Sequence, residues 1–369
     1  MPARSEGEHD VSPEAFRVRF PICATSAYLA ACSQGPASDA TLAAGEAFLR
    51  GWRDEGAAWT DWVEAVEEAR ALFARLIHAK LDEVAVVSCA SAGAQAVASS
   101  LEYAGQRRVI AASDLEFPSV AHVWLGQRAR GAEVRLTRTP VADETTALVS
   151  AYAVSYADGS RCDLAAAARQ AHAAGALLFV DAYQGAGVLP IDVKAIDCDF
   201  LVAGALKYLL GTAGIAFLYV RRELCERLVP AGGGWFAQRN PFAFDPFALD
   251  LAPDARRFQS GTPAVMAGYV ARAGLRVLME TDPTAVGAHV GALADELSER
   301  LRRAGARVVS PDRGPLVCVE VDDPEHAAAR LHDAGVIVAP RGRVIRLSLH
   351  YYNNREDVAR AAEAVATLL

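Results

Sequence analysis

Apolar positions along this chain switch between two periods. Near the amino end Trp62, Val66, Ala69, Phe73, Leu76 and Ile77 recur at helical spacing, with Asp61 and Glu64 placed as a cap pair. That stripe reads as core rather than site. From Val84 onward, short runs that can be buried on both faces alternate with helical stretches. Strands are predicted over 84–88, 108–112, 133–137, 147–154 and 176–181; helices start at about Ala92 and Ser119, and a third spans 164–174 between the cap Asp163 and the stop Gly175. This βαβ series predicts an α/β protein with a mostly parallel sheet flanked by helices, whose ligands gather at the carboxyl ends of the strands.

After a strand over 215–220, a Gly/Phe/Pro-rich stretch runs from 232 to 253 and carries Trp235, Phe236 and Phe242. It is too long and too aromatic for a mere linker and reads as a substrate-facing lid or a subunit contact. The rest alternates helices (284–304, 324–334, 356–369) with strands (307–310, 316–321, 336–339, 344–349), the pattern of a smaller α+β unit.

At 369 residues the chain exceeds one ordinary core. The expected division is a flexible tail over 1–17, a large domain over 18–255 and a small carboxyl-terminal domain over 256–369, with the amino-terminal segment packing near it. The net charge of -8, with no Lys/Arg-rich run, argues against nucleic acid and for small metabolites. The charged amino terminus leads into no apolar segment, so it reads as neither signal peptide nor anchor, and no stretch approaches the roughly 20 apolar residues of a spanning helix. No membrane partner is expected. Seven scattered cysteines without CxxC spacing fit a reduced cytoplasm and offer no metal motif.

Candidate chemistry centres on Lys207. The run Phe200 to Ala203 is strand-like, Gly204 and Ala205 keep space clear, and one amine follows at what would be the strand's carboxyl end. A desolvated amine there has a lowered pKa and can join an aldehyde. Upstream, a second buried run ends in Asp181, with Gln184 three residues on. A carboxylate and an amide at the same rim suit a protonated heteroaromatic nitrogen and a neighbouring ring oxygen. Singly, Asp181 can be a turn former, Gln184 a solvated residue and Lys207 a surface lysine. Together they form the set that pyridoxal phosphate needs.

Phe179-Val-Asp-Ala-Tyr-Gln184, Leu206-Lys207-Tyr208 and the run from Gly214 to Arg221 resemble, in order and spacing, the class V aminotransferase family of pyridoxal-phosphate enzymes, which includes cysteine desulfurases, kynureninases and isopenicillin-epimerase-like proteins. The resemblance runs from about Arg17 to the carboxyl terminus and implies the fold-type I architecture. It implies that Lys207 carries the cofactor, that Asp181 pairs with the pyridinium and that Gln184 donates to the phenolate. Phe117 matches the ring stacked on the cofactor. Ser91 and the free N–H groups of the helix starting near Ala92 match a phosphate cradle. Thr262, after Gly261, matches a segment that reaches the phosphate of a partner subunit, implying a homodimer with shared sites. Arg346 matches the arginine that binds the substrate α-carboxylate; Tyr156, His350 and Arg341 are further candidate substrate contacts.

Departures from the family pattern narrow the reaction. Desulfurases have histidine where Phe117 stands, asparagine at Tyr156, and a cysteine in the loop before the carboxylate-binding arginine. Here 336–343 contains no cysteine, and Cys318 falls in a predicted core strand. Gly204 and Leu206 occupy positions where many relatives have Ser and His, so that phosphate contact is missing. Three outcomes remain open: transamination, which needs only the parts named; β-elimination or C–S lysis; and epimerisation or kynureninase-like hydrolysis. A cofactor-free binding scaffold would not require Asp181, Gln184, Lys207 and Arg346 together. A nicotinamide dehydrogenase would need the Gly-x-Gly-x-x-Gly that no strand here precedes.

Overall fold

The computed structural model describes residues 11–311 and 314–368. Its centre is a seven-stranded sheet built from β1 (Val84–Val87), β2 (Val109–Ser113), β3 (Glu133–Thr137), β4 (Thr146–Tyr152), β5 (Leu177–Asp181), β6 (Phe200–Gly204) and β7 (Ala216–Val220), in the order β1-β7-β6-β5-β4-β2-β3. Only β7 runs antiparallel to its neighbours. The carboxyl ends of the other strands therefore share one rim. Strands β1, β6 and β7 are buried along their whole length, as continuous apolar runs between two helical layers require.

On one face Phe73, from the Trp59–Leu76 helix, stacks on Phe217 of β7 with centroids 4.7 Å apart. Asp61 lies in that helix's first turn, not at its cap; Ala58 is the cap residue and makes no side-chain cap bond. On the other face Trp124, from the Pro118–Gly126 helix, meets Phe179 of β5 edge-on at 5.1 Å.

The carboxyl-terminal part carries an antiparallel sheet of β8 (Leu316–Glu320), β9 (Ala339–Arg341) and β10 (Val344–Ser348), ordered β9-β10-β8. The segment 307–310, expected as a strand, makes one bridge, Val308 with Val319. The amino-terminal segment docks here: Ala27–Tyr28 pairs with Val336–Ile337, and Ser348 N–H donates to the Leu29 carbonyl at 2.8 Å. Residues Pro13–Arg17, expected within a flexible tail, form a helix whose Phe16 is fully buried and whose Arg17 pairs with Asp357 at 2.7 Å. Residues 1–10 lie outside the described residues. Among the described residues no helix is long and apolar enough to cross a membrane.

Candidate active site

Segments leaving the shared rim converge on a cavity of about 200 Å³ lined by residues from 89–91, 115–120, 152–156, 181–184 and 206–207. Lys207, Asp181, Gln184, Phe117, Ser91 and Tyr156 all stand in its wall. The register explains the convergence: Asp181 lies opposite Tyr152 on one side and Val202 on the other, so β4, β5 and β6 end together.

Burial pushes the Lys207 amine down to about 8, assisted by the charges of Arg346 and Arg341 and opposed by Cys32 and Asp181. Its Nζ stands 4.6 Å from the Tyr183 ring centroid and 5.5 Å from that of Phe117. Asp181 is 7% exposed, and no lysine or arginine is within ion-pair distance among the described residues. Burial raises its pKa, against the Tyr183 N–H that it accepts at 2.9 Å and the charge of Lys207. Gln184 donates one Nε2 hydrogen to the Cys32 carbonyl at 3.1 Å; among the described residues neither its second N–H nor its buried Oε1 has a partner.

An acid without a cation, an amide with spare valence and a buried amine with a lowered pKa make an incomplete set, which is costly in a folded interior unless a ligand completes it. A pyridinium, a phenolate and an aldehyde complete it. The residues present fit pyridoxal phosphate.

Arg346 is 1% exposed on β10. Its Nη1 donates to the Tyr156 carbonyl at 3.2 Å and its Nε to Ala339 at 3.4 Å, while Nη2 is buried without a partner. A guanidinium is always charged, and no carboxylate of the described residues answers this one. Arg341, on β9, is exposed and acts on Lys207 only through its charge.

His350, expected as a substrate contact, is fully buried and does not line the cavity. Its Nδ1 accepts the Tyr351 N–H at 2.7 Å, so Nε2 carries the proton and donates to the Tyr208 carbonyl at 3.0 Å. The ring stacks on Tyr352, 5.0 Å away, and burial lowers its pKa to about 4. It holds the backbone of Tyr208, the residue after Lys207.

Phe117 caps the Pro118–Gly126 helix, and its ring meets Tyr156 edge-on at 5.0 Å. Ser91 lies in the first turn of the Ala90–Ser100 helix, which starts two residues before the expected Ala92. Ala92 does not line the cavity and offers only its backbone N–H, which reaches the Cys89 thiol. Thr262 is exposed and outside the cavity of its own chain. The aromatic stretch 232–253 contributes nothing to the cavity either, so it is no lid over this site within one chain. Its rings cluster with one another and with Trp59 at the surface.

Two residues of the wall, Tyr183 and Cys89, and one beside it, Glu116, are not expected from the sequence. Tyr183 occupies a spacer position of the Asp-x-x-Gln motif, which carries no signal of its own. Cys89 is an exposed thiol beside Ser91 Oγ at 3.2 Å; burial raises its pKa, but hydrogen bonds from Ser91, Ala92 and Ser88 outweigh this and lower it. Glu116 precedes Phe117 and is buried, hydrogen-bonded to Ser150 and accepting Trp124 Nε1–H at 3.1 Å. Burial pushes its carboxyl up to about 8, with those bonds opposing and Asp181 adding to the rise. The only signal was its place next to Phe117.

A fold with this sheet order, and a lysine, an acid and an amide at the rim, is that of the fold-type I pyridoxal-phosphate enzymes. Residues 49–361 match the family model for class V aminotransferases, and the chain belongs to that family. Its cofactor is pyridoxal 5'-phosphate. It is 36% identical over 367 residues to an uncharacterized aminotransferase, YcbU, of Bacillus subtilis strain 168, covering 96% of this chain and 97% of that one. It is 29% identical over 344 residues to a kynureninase of Deinococcus radiodurans, covering 88% and 83%. Its fold superposes on the cysteine desulfurase CsdA from Escherichia coli with a TM-score of 0.83 at 23% identity, covering 97% and 98%. Cys318, in β8, is fully buried and its thiol is pushed up to about 12 by burial, as an inert packed cysteine would be.

Proposed function

We propose that the protein is an amino-acid aminotransferase in which Lys207 carries the cofactor and moves the substrate proton. The observation that supports this most is the coexistence in one cavity wall of an amine with a lowered pKa and a buried acid lacking a cation, with a buried arginine lacking an anion bonded to the carbonyl of the wall residue Tyr156 and close enough for its charge to act on that amine. The bound cofactor supplies an aldehyde that condenses with amines and a ring that accepts electrons from the bond to Cα. With the cofactor bound, Asp181 would hold the proton on its ring nitrogen, and the second N–H of Gln184 would be available to its ring oxygen. Phe117 covers one face of the ring. Ser91 and the first N–H groups of its helix, including that of Ala92, take the phosphate.

Arg346 would take the substrate carboxylate and so orient the bonds at Cα. Lys207 Nζ, once free of the cofactor and neutral, removes the Cα proton and redelivers it. Transamination needs no further group. Besides the apolar Leu115, Val120, Val154 and Leu206 the wall offers Cys89, Tyr152, Tyr156 and Tyr183, and Asp181 is its one carboxylate among the described residues; the relative from Bacillus subtilis is named an aminotransferase.

The site is further proposed to be completed by a second copy. Leu42, Leu49, Trp52 and Met266 are exposed along one apolar groove and its margin, and Ala264 and Val265, just after Thr262, line the same groove. Phe244 and Phe247, 71% and 96% exposed, lie in the surface aromatic stretch. Burying such a face in a homodimer would bring Thr262 to the partner's phosphate. All seven cysteines stand unpaired, which suits the cytoplasm.

An amino-acid panel tests the reaction. Accumulation of pyridoxamine phosphate with a keto acid supports transamination; release of ammonia or sulfide without it would assign elimination, and release of anthranilate or alanine from kynurenine would assign hydrolysis.

A further inference from the structure

The phosphate is the cofactor's most highly charged group, and residues 204 and 206 lack the hydroxyl and imidazole that would serve it. The structure shows what fills the space at 204. A Cβ built on Gly204 would fall well inside 3.0 Å of Tyr183 Cζ and Oη, closer than real Cβ atoms approach. Glycine at 204 is therefore obligatory while the Tyr183 ring lies there, and the phenol hydroxyl stands where a short side chain at 204 would end.

That hydroxyl stands against residue 204. Tyr183 lines the cavity together with Cys89 and Ser91, and it lies near enough to the Cys89 thiol to feel its charge. Among the described residues Oη makes no hydrogen bond. Its backbone N–H is held by Asp181 Oδ1 at 2.9 Å, and Lys207 Nζ stands 4.6 Å from the ring centroid, so the ring is fixed between the amine and the start of the Ala90–Ser100 helix. Burial pushes the phenol up to about 12, so it stays a donor across the physiological range. The cavity also contains the buried, unpartnered Gln184 Oε1, a second sign that a polar ligand completes this wall.

We infer that Tyr183 Oη is a side-chain donor to the cofactor phosphate, and that Tyr183 and Gly204 form one exchangeable unit in place of a hydroxyl at residue 204. This rests on the assignment of the cavity to pyridoxal phosphate. The unit explains how the phosphate is gripped by a chain without the usual pair, and it places the donor on the segment that also carries Asp181 and Gln184.

The test is binding, read by absorbance titration of apoprotein with pyridoxal phosphate and, separately, with pyridoxal, which lacks the phosphate. Tyr183→Phe removes one oxygen and should weaken pyridoxal phosphate by about 10- to 100-fold, the range for a hydrogen bond to a charged group, and leave pyridoxal unchanged. Tyr183→Ala combined with Gly204→Ser should bind pyridoxal phosphate more tightly than Tyr183→Ala alone. Gly204→Ser alone should bind it more weakly than wild type, because Tyr183 leaves that side chain no room. Equal binding of both ligands by wild type and Tyr183→Phe, or an equal loss for both ligands, overturns the inference and leaves the cofactor assignment standing. Wild-type protein that takes up neither ligand overturns the cofactor assignment itself.

Discussion

Replacing Arg346 with methionine should move stability and substrate affinity in ways that an ordinary buried ion pair would not. The guanidinium is 1% exposed, donates to the carbonyls of Tyr156 and Ala339, and leaves Nη2 unanswered. Losing those two bonds costs about 1 kcal/mol each. Removing a buried charge that has no counter-charge regains desolvation energy of a few kcal/mol. The apoprotein should then be as stable as wild type or slightly more stable. Had Arg346 been half of a structural ion pair, truncation would cost about 3–5 kcal/mol.

Substrate binding should show the opposite. Desolvating an amino-acid carboxylate without its partner costs about 2–5 kcal/mol, which is roughly 30-fold to several thousand-fold in kcat/KM. The assay pairs urea denaturation of apoprotein with kinetics on an amino acid and on the matching amine that lacks the carboxylate. The amine should be turned over alike by both proteins. A loss of more than about 3 kcal/mol in stability with amino-acid kinetics intact would refute the reasoning and assign Arg346 to the scaffold.

Two titrations probe the same site. Lys207, with its amine near 8 instead of 10.5, should capture pyridoxal phosphate at a rate that rises about tenfold per pH unit and levels off above about 8; a rise continuing past pH 10 would place the amine at its ordinary value. Glu116 keeps its proton in the folded state up to about 8, while the unfolded chain loses it near 4.5. Wild-type stability should therefore fall across that window, by up to about 5 kcal/mol, relative to Glu116→Gln, measured by urea denaturation at both ends. A constant difference between the two proteins at all pH values would mean that Glu116 is ionised when buried.

Much of the fold was legible because periodicity reports burial. Runs such as 200–204 and 177–181 are apolar along their length, and only a strand covered on both faces needs that. Strand order and the reversed direction of β7 were not legible, since neither changes the pattern of any one strand. Of the residues with chemistry in fixed spacing, Lys207, Asp181 and Gln184 stand together in the cavity wall, whereas Arg346 is buried outside it. His350 was misplaced because it follows Arg346 by four residues, yet β10 ends at Ser348 and the chain then turns into the core. Tyr183 was passed over because the space it fills is created by a glycine 21 positions later, a relation that exists only after folding. The helix at 13–17 shows the same limit: its anchor, Asp357, lies at the other end of the chain.

The central claim is that Lys207 carries the cofactor. Holoprotein reduced with borohydride, digested and sequenced by mass spectrometry should show the phosphopyridoxyl group on the peptide containing Lys207 and nowhere else, and Lys207→Ala should lack both the label and the visible absorption band. A label on another lysine, or Lys207→Ala protein that stays yellow and is still labelled, would contradict the account.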